Sequence, residues 1–410
     1  MSKRVHSVLF VTTSFPRFRS DFAGSFVFRF AKYLASDGVQ VTVLAPGASG
    51  YPTTDALEGV QIYRFPYFYP AKLQRLAYAE GMLANLRRTW LAKVQVPLLF
   101  FAMVWTIVRY QERFDLIHCH WSPTAVAALI ARLFSRTKPA IVLTNWGSDT
   151  RHLPAWLTRW TVARVDGCIS TAVETDEHLQ ATGRTEFRRI MAPVDEERFR
   201  RTAVAADMRH ELGIDEDIPV IPFVGRVDSF KDPLTFIHAC AVLRQQGVSF
   251  MALIAGDGNL MPECQQEIQR CQLRDHLILL GIRSDPERLF RIATATIHIS
   301  PVENTWANVI AEAMFMEVPV VLSNAGYTQR LFTHEKDCLI VPARNPVALA
   351  GALQRLIRDG ALRTQLTRGA SELLRQYKKD RASIVHAVRA YYDELQWQRA
   401  EMSQHAEYYD

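Results

Sequence analysis

At 410 residues, 49% hydrophobic and 22% charged, the chain exceeds what one core usually holds and has the make-up of a soluble globular protein, so two domains are expected. Its net charge of +6 is unevenly placed: residues 1–195 hold 23 Lys and Arg against 14 Asp and Glu (23 − 14 = +9), and residues 196–410 hold 25 against 28 (25 − 28 = −3). A basic first half suits an anionic partner, but no helix-turn-helix, zinc-finger, RRM or KH pattern accompanies it and nucleic acid is not expected. The six cysteines are scattered with no C-x-x-C pair, which argues against disulfides or a zinc site and for a reducing, cytoplasmic setting.

In chain order, Ser7–Thr12 reads as a first strand, the apolar run being too short for a signal peptide. A helix over Phe26–Ser36 carries apolar residues at helical spacing and ends at Gly38. Val39–Leu44 is the next strand, followed by Leu116–His118 and Ala140–Leu143 with a helix over Thr124–Phe134 between them. Short strands alternating with helices predict an α/β chain with a parallel sheet covered on both faces, and ligands bind such sheets at the carboxyl ends of strands. The pattern restarts after the charged segment Glu196–Pro219: strands over Val220–Val224, Phe250–Ala255, Leu277–Leu280, Thr296–Ser300 and Val318–Leu322, helices over Pro233–Gln245 and Glu263–Cys271. The expected division is residues 1–198, residues 199–380, a helix over residues 381–399 and a loose tail over residues 400–410.

Three strand-end loops of the second half carry chemistry. In the first, Gly225, Arg226 and Lys231 follow a strand, and Asp232-Pro233 opens a helix as N-cap and first residue. Arg grips a phosphate bidentately and Lys adds a mobile point charge, so the pair suits a diphosphate. The bland alternative is two solvated surface cations. In the second, Gly256 and Gly258 follow a strand, a weak signal that usually marks only a tight turn. In the third, Gly281-Ile282 offers backbone groups to a base. Further on, Glu303 lies on a loop before a helix starting near Ala307 or Asn308, with Glu312 one turn inside. Amides at a helix start favour phosphate, and carboxylates accept hydrogen bonds from sugar hydroxyls.

These loops, in this order, resemble the nucleotide-sugar domain of the retaining glycosyltransferases of family 4 (glycosyl transferases group 1), which have the GT-B fold of two Rossmann-like parallel-sheet domains facing a cleft. In the first half, Phe15-Pro16 with Gly24 resembles the family's first loop, Asp115 to Trp121 its D-x-I-H-x-H-W segment, and Ala192 to Phe199 the N-G-V-D-x-x-x-F closing the first domain. The resemblance covers nearly the whole chain. It implies that Arg226 and Lys231 hold the donor diphosphate, with Gly225 and Gly256 on the same edge. Gly24 would admit the backbone beneath the diphosphate, the Asn308 and Val309 amides would approach phosphate, Glu312 would bind ribose, and Glu303 would face the transferred sugar. The implied partners are a nucleotide-sugar donor and a sugar or lipid-linked acceptor, with no cofactor and no metal, consistent with the lack of a D-x-D pair.

Three positions depart from the family pattern. Eight residues rather than seven separate Glu303 from Glu312, Glu317 stands where the family has a glycine, and Trp146, in Thr144-Asn145-Trp146-Gly147-Ser148-Asp149, stands where it often has a histidine. Trp146 and Asp149 are expected on the acceptor side, with His120 as the substitute catalytic histidine. These departures leave open a catalytically inactive binding or scaffold protein, and the fold alone admits a sugar-nucleotide epimerase.

Residues 63–105 interleave aromatics with basic side chains, which suits peripheral contact with the inner face of a membrane. The alternative is an insertion that buries its aromatics. The apolar run Val94–Val108 is interrupted by Gln95 and Pro97, and Leu98–Val108 is expected as a buried helix.

Overall fold

A computed structural model of the chain describes residues 4–19, 21, 23–78, 82–146, 153–200, 208–301, 307–377 and 380–409. They form two compact units, Met1–Pro193 with Arg381–Asp410, and Val194–Asp380.

The first unit is built on eight strands: β1 (Ser7–Val11), β2 (Gln40–Pro46), β3 (Thr54–Leu57), β4 (Val60–Phe65), β5 (Leu116–His120), β6 (Ala140–Asn145), β7 (Gly167–Ser170) and β8 (Arg188–Arg189). Their order is β3-β4-β2-β1-β5-β6-β7-β8, and every pairing is parallel except the β3–β4 hairpin. β5 and β6 are buried at every position, the near-continuous apolar reading of a strand covered on both faces. Helix α1 (Ser25–Ser36) lays Val27, Phe30 and Leu34 on the sheet and stops where Gly38 takes a left-handed φ of 85°. Helices α2 (Met82–Arg88), α3 (Trp90–Tyr110) and α4 (Ser122–Arg132) follow. The long C-terminal helix, Arg381–Tyr409, packs here too: Ile384, Val388 and Tyr392 share a core with β1, β5 and α1.

The second unit has six parallel strands, β9 (Val220–Val224), β10 (Met251–Ala255), β11 (Leu277–Gly281), β12 (Thr296–His298), β13 (Val320–Asn324) and β14 (Leu339–Pro342), in the order β11-β10-β9-β12-β13-β14. Its core lies between the sheet and helices that include Pro233–Gln245 and Pro346–Arg358.

Each sheet has a strand from which the chain runs first to one side and later to the other. In the first it is β1, flanked by β2 and β5; in the second it is β9, flanked by β10 and β12. The crevice at the carboxyl ends of such strands is where open parallel sheets take ligands. The loops placed there are Thr12–Gly24 and Trp121 in the first unit, and Gly225–Asp232 and the segment after His298 in the second.

Three expectations need correction. The C-terminal helix does not stop at Arg399 but continues through the expected loose tail to Tyr409, since no Gly or Pro interrupts residues 400–409. Within residues 63–78, Phe65, Tyr67 and Tyr78 are buried. They serve the core, because Val60–Phe65 is a strand turned by Glu58-Gly59, both at positive φ. Leu98–Val108 is only half buried: α3 runs on through Pro97 and leaves one face outside.

Candidate active site

In the second unit the loop after β9 is pinned from beneath. Gly225 N donates to Ala255 O (3.0 Å), Gly256 N to Gly281 O (2.8 Å) and Val227 N to Asp257 O (3.0 Å), stitching three strand ends together. A Cβ on Gly256 would lie 1.7 Å from Gly225 O, and one on Gly258 2.3 Å from Val227 O. These glycines therefore admit the protein's own backbone, holding the loop in place. The Asp228 side chain shapes the turn: Oδ1 accepts from the N–H of Phe230 and of Lys231 (both 3.1 Å), and Oδ2 lies 3.1 Å from Arg226 Nη1. Asp232 caps the next helix, accepting from Thr235 Oγ1 at 2.8 Å.

The two cations differ in setting. The Arg226 side chain is 68% exposed. Lys231 is partly buried with its Nζ 3.4 Å from His298 Nε2. His298 is buried on β12, and burial together with the nearby Lys231 charge holds it neutral, well below the usual histidine range. A neutral ring accepts a hydrogen bond from the ammonium and leaves its charge on Lys231.

Across the same switch point, helix Asn308–Phe315 begins at Ala307 with no side-chain cap, so its start offers backbone N–H groups and positive dipole. Asn308 Oδ1 is buried without a hydrogen-bond partner among the described residues. Val309 is partly buried beside it, and Glu312 is 7% exposed one turn further in. Glu317, just beyond the helix, has φ 57°, which accounts for the family's glycine at this place. Ile282 is exposed at the end of edge strand β11. Glu303 lies outside the described residues.

In the first unit, His118 and His120 stand on β5 with rings stacked at 4.4 Å, and Trp146 lies 5.9 Å from His120. His118 is fully occupied: one ring nitrogen meets Thr144 Oγ1 at 2.5 Å, the other the Tyr392 hydroxyl at 2.5 Å. Burial lowers its pKa to about 3. His120 is buried and neutral as well. Its Nδ1 accepts from Trp146 Nε1 at 3.3 Å. An indole can only donate, so the neutral ring carries its proton on Nε2. That Nε2 is buried without a hydrogen-bond partner among the described residues, a donor waiting for an oxygen. Gly24 starts α1 at φ 64°, and a Cβ there would lie 2.2 Å from Ser14 O. The close approach is again to the protein's own loop. Asp149 lies outside the described residues.

The sequence reading did not find Asp228, His298 or the backbone at Trp121. An Asp two residues after the Arg of a turn was an available signal for the first; a histidine inside an apolar strand gives none for the second. Trp121 opens α4 at φ 73°, ψ 146°, a region that glycine ordinarily occupies and that collects at functional sites.

The chain matches two family models, "Glycosyl transferase 4-like domain" over residues 23–193 and "Glycosyl transferases group 1" over residues 204–373. It is 24% identical over 277 residues to the alpha-D-kanosaminyltransferase of Streptomyces kanamyceticus, covering 63% of this chain and 72% of that protein. It is 26% identical over 200 residues to the D-inositol 3-phosphate glycosyltransferase of Xylanimonas cellulosilytica, a match that spans 47% of this chain and 45%, about half, of that protein. Among solved structures, HepE of Anabaena in complex with UDP and glucose superposes with a TM-score of 0.70 at 18% identity, covering 94% of this chain and 99% of that one. Two switch-point sheets of this kind define the GT-B architecture. The chain belongs to the group 1, family-4-like glycosyltransferases and is a nucleotide-sugar glycosyltransferase.

Proposed function

We propose that the protein transfers a sugar, with retention of anomeric configuration, from a uridine diphosphate sugar to an acceptor hydroxyl in the assembly of a cell-surface polysaccharide or glycolipid. The observation that carries this reading is the β9/β12 switch point. A loop bearing Arg226 and Lys231 meets there a helix start whose Asn308 Oδ1 is unpartnered among the described residues. The likeness in fold to HepE, solved with UDP and glucose, supports uridine as the base.

In the proposed reaction the bond from the anomeric carbon to the β-phosphate oxygen breaks, and the acceptor hydroxyl oxygen bonds to that carbon from the same face. The hydroxyl proton passes to the departing β-phosphate oxygen, and negative charge gathers on the diphosphate. Arg226 takes it bidentately, Lys231 adds a point charge, and the Asn308 and Val309 amides add the helix dipole. Preorganised groups of this kind stabilise the transition state electrostatically. These cations do the work a metal would otherwise do, so EDTA leaves the rate unchanged. Glu312 accepts from the ribose hydroxyls, and Glu303 faces the sugar as it gains oxocarbenium character. The His120 Nε2–H donates to a hydroxyl oxygen of the acceptor beside Trp146.

An assay of nucleotide release from a panel of UDP-sugars, with products identified, tests this. Lys231→Ala and Glu312→Ala should each lower turnover by about 100-fold or more with the fold intact. Background turnover in the wild type despite nucleotide binding would overturn the proposal in favour of a binding protein. An epimerised donor recovered without acceptor would overturn it in favour of an epimerase.

A further inference from the structure

Helix α3 has two unlike faces. Inward, Leu99, Met103 and Ile107 join the core under β2 and β4. The buried Gln95 amide fastens the helix to its own approach: Oε1 accepts from the N–H of Arg75 (2.9 Å) and of Leu76 (3.1 Å), and Nε2 donates to Leu73 O (2.6 Å). Outward, Trp90, Val94, Leu98, Phe101 and Trp105 are exposed at 75, 49, 42, 70 and 55%. Their spacing of four, four, three and four residues sets them on one side of the helix. The stripe continues at one end. Gln111 Nε2 donates to Ala131 O (2.9 Å), and Glu112 accepts from the N–H of Arg136 (2.7 Å). These bonds bring the end of α3 to the end of α4, where Leu133 and Phe134 are 79 and 68% exposed.

An unbroken run of large apolar side chains facing water is unusual for a protein that keeps its surface bare. Within residues 90–113 an 18-residue window reaches a mean hydropathy of 1.8, apolar enough by length and composition to cross a bilayer. The inner face is already committed to the sheet, however, so the helix as folded has only its outer face to give. That fits a helix lying in the plane of a bilayer surface, with Trp, Phe and Leu at the level of the headgroups.

Charge selects the occupant. The thirty-one residues from Gly81 to Gln111 hold four basic side chains, Arg87, Arg88, Lys93 and Arg109, and no Asp or Glu. They fringe the stripe at both ends, and Arg109 lies over the Trp105 ring at 5.9 Å. A second protein surface has no need of this pattern; anionic phospholipid headgroups do. We infer that the outer face of α3 docks on the interfacial zone of an anionic phospholipid bilayer, with Trp90, Phe101 and Trp105 inserted among the headgroups and the basic fringe on the lipid phosphates.

The placement has a chemical consequence. Asn85 of α2 donates to Tyr78 O (2.8 Å), and the Tyr78 hydroxyl donates to Pro46 O at the carboxyl end of β2 (2.9 Å). The start of the stripe is thereby tied to the sheet edge on which His120 stands, and an acceptor carried by a lipid meets that edge from the bilayer. The docking itself is independent of the sugar and base proposed above.

The test is co-sedimentation of the full chain with phosphatidylcholine vesicles, with and without phosphatidylglycerol. The wild type should partition at least about tenfold more strongly to the anionic vesicles, and salt should weaken it. Phe101→Glu with Trp105→Glu should abolish most of that binding, and Arg87→Ser with Lys93→Ser should reduce it on anionic vesicles alone. All these positions are exposed, so thermal midpoint and UDP binding should match wild type, which separates this inference from the donor reading. Equal binding by wild type and the Phe101/Trp105 variant would overturn the inference. So would a wild-type dimer that the same variant converts to monomer without any vesicle binding, since a second copy would then be the occupant.

Discussion

Three histidines, His118, His120 and His298, are held neutral inside the protein, chiefly by burial. Their folded pKa values lie below the unfolded one, so the unfolded chain binds more protons as pH falls. Stability is complete above about pH 6.5 and is lost progressively below it, down to about pH 3 for His118. Each such group costs up to about 1.4 kcal/mol per pH unit in that window. Denaturant midpoints at pH 7 and pH 5 should therefore differ, and His118→Gln should flatten the slope; an unchanged slope would contradict the neutral, buried assignment. On the loop after β9, the exposed Arg226 and the His298-backed Lys231 are predicted to act on phosphate alone. Arg226→Ala and Lys231→Ala should each weaken UDP by about 10- to 100-fold, the worth of a charge-assisted hydrogen bond, while uridine binding stays level by calorimetry.

Among the elements, helix Asn308–Phe315 is followed by Glu317 in a left-handed conformation. A side chain there costs about 1 kcal/mol, partly offset by the freedom glycine has when unfolded. Glu317→Gly should raise the stability of the second unit by about 0.5–1 kcal/mol, and a fall in its thermal midpoint would refute the strain. The C-terminal helix is held by named contacts: Tyr392 to His118, the Tyr391 hydroxyl accepting from Cys168 N (3.0 Å), and Asp393 accepting from Val5 N (2.9 Å). A Cβ on Gly167 would lie 2.5 Å from Leu395 Cδ1 and 2.7 Å from the Tyr391 hydroxyl. Tyr392→Phe leaves a buried imidazole nitrogen unmatched and should cost about 1–3 kcal/mol; Gly167→Ala overpacks the same seam with a cost of similar size.

For the molecule as a whole, the elements legible in the sequence were those whose physics is local. Val220–Val224 and Pro233–Gln245 end where read, because an apolar run stops at Gly225 and Asp232-Pro233 caps a helix. The helix start at Asn308 is legible for a related reason, a loop running straight into a periodic apolar stretch. The β3–β4 hairpin was not read, since its turn is Glu58-Gly59 rather than an Asn or Asp with Gly, and its strand residues looked like part of an aromatic insertion. The exposure of α3 was missed because an apolar helix with one buried face and one bare face has the composition of a wholly buried one. At the site, residue types told which groups suit a diphosphate. They did not tell that Gly24 and Gly256 yield to the protein's own backbone, that Asp228 shapes the loop after β9, or that His298 backs Lys231. Those depend on which strands become neighbours, which the sheet order decides.

The central claim is that the second unit holds a nucleoside diphosphate at the β9/β12 switch point without help from a metal. A thermal-shift panel of the purified full chain with UDP, GDP, ADP and CMP, each with and without EDTA, tests it most directly. Ligand at about 100 times its dissociation constant adds roughly 2.7 kcal/mol, so the account predicts a clear shift with UDP, unaffected by EDTA and cut to about half or less in the Lys231→Ala variant. A shift abolished by EDTA, or none with any of the four nucleotides, would contradict it.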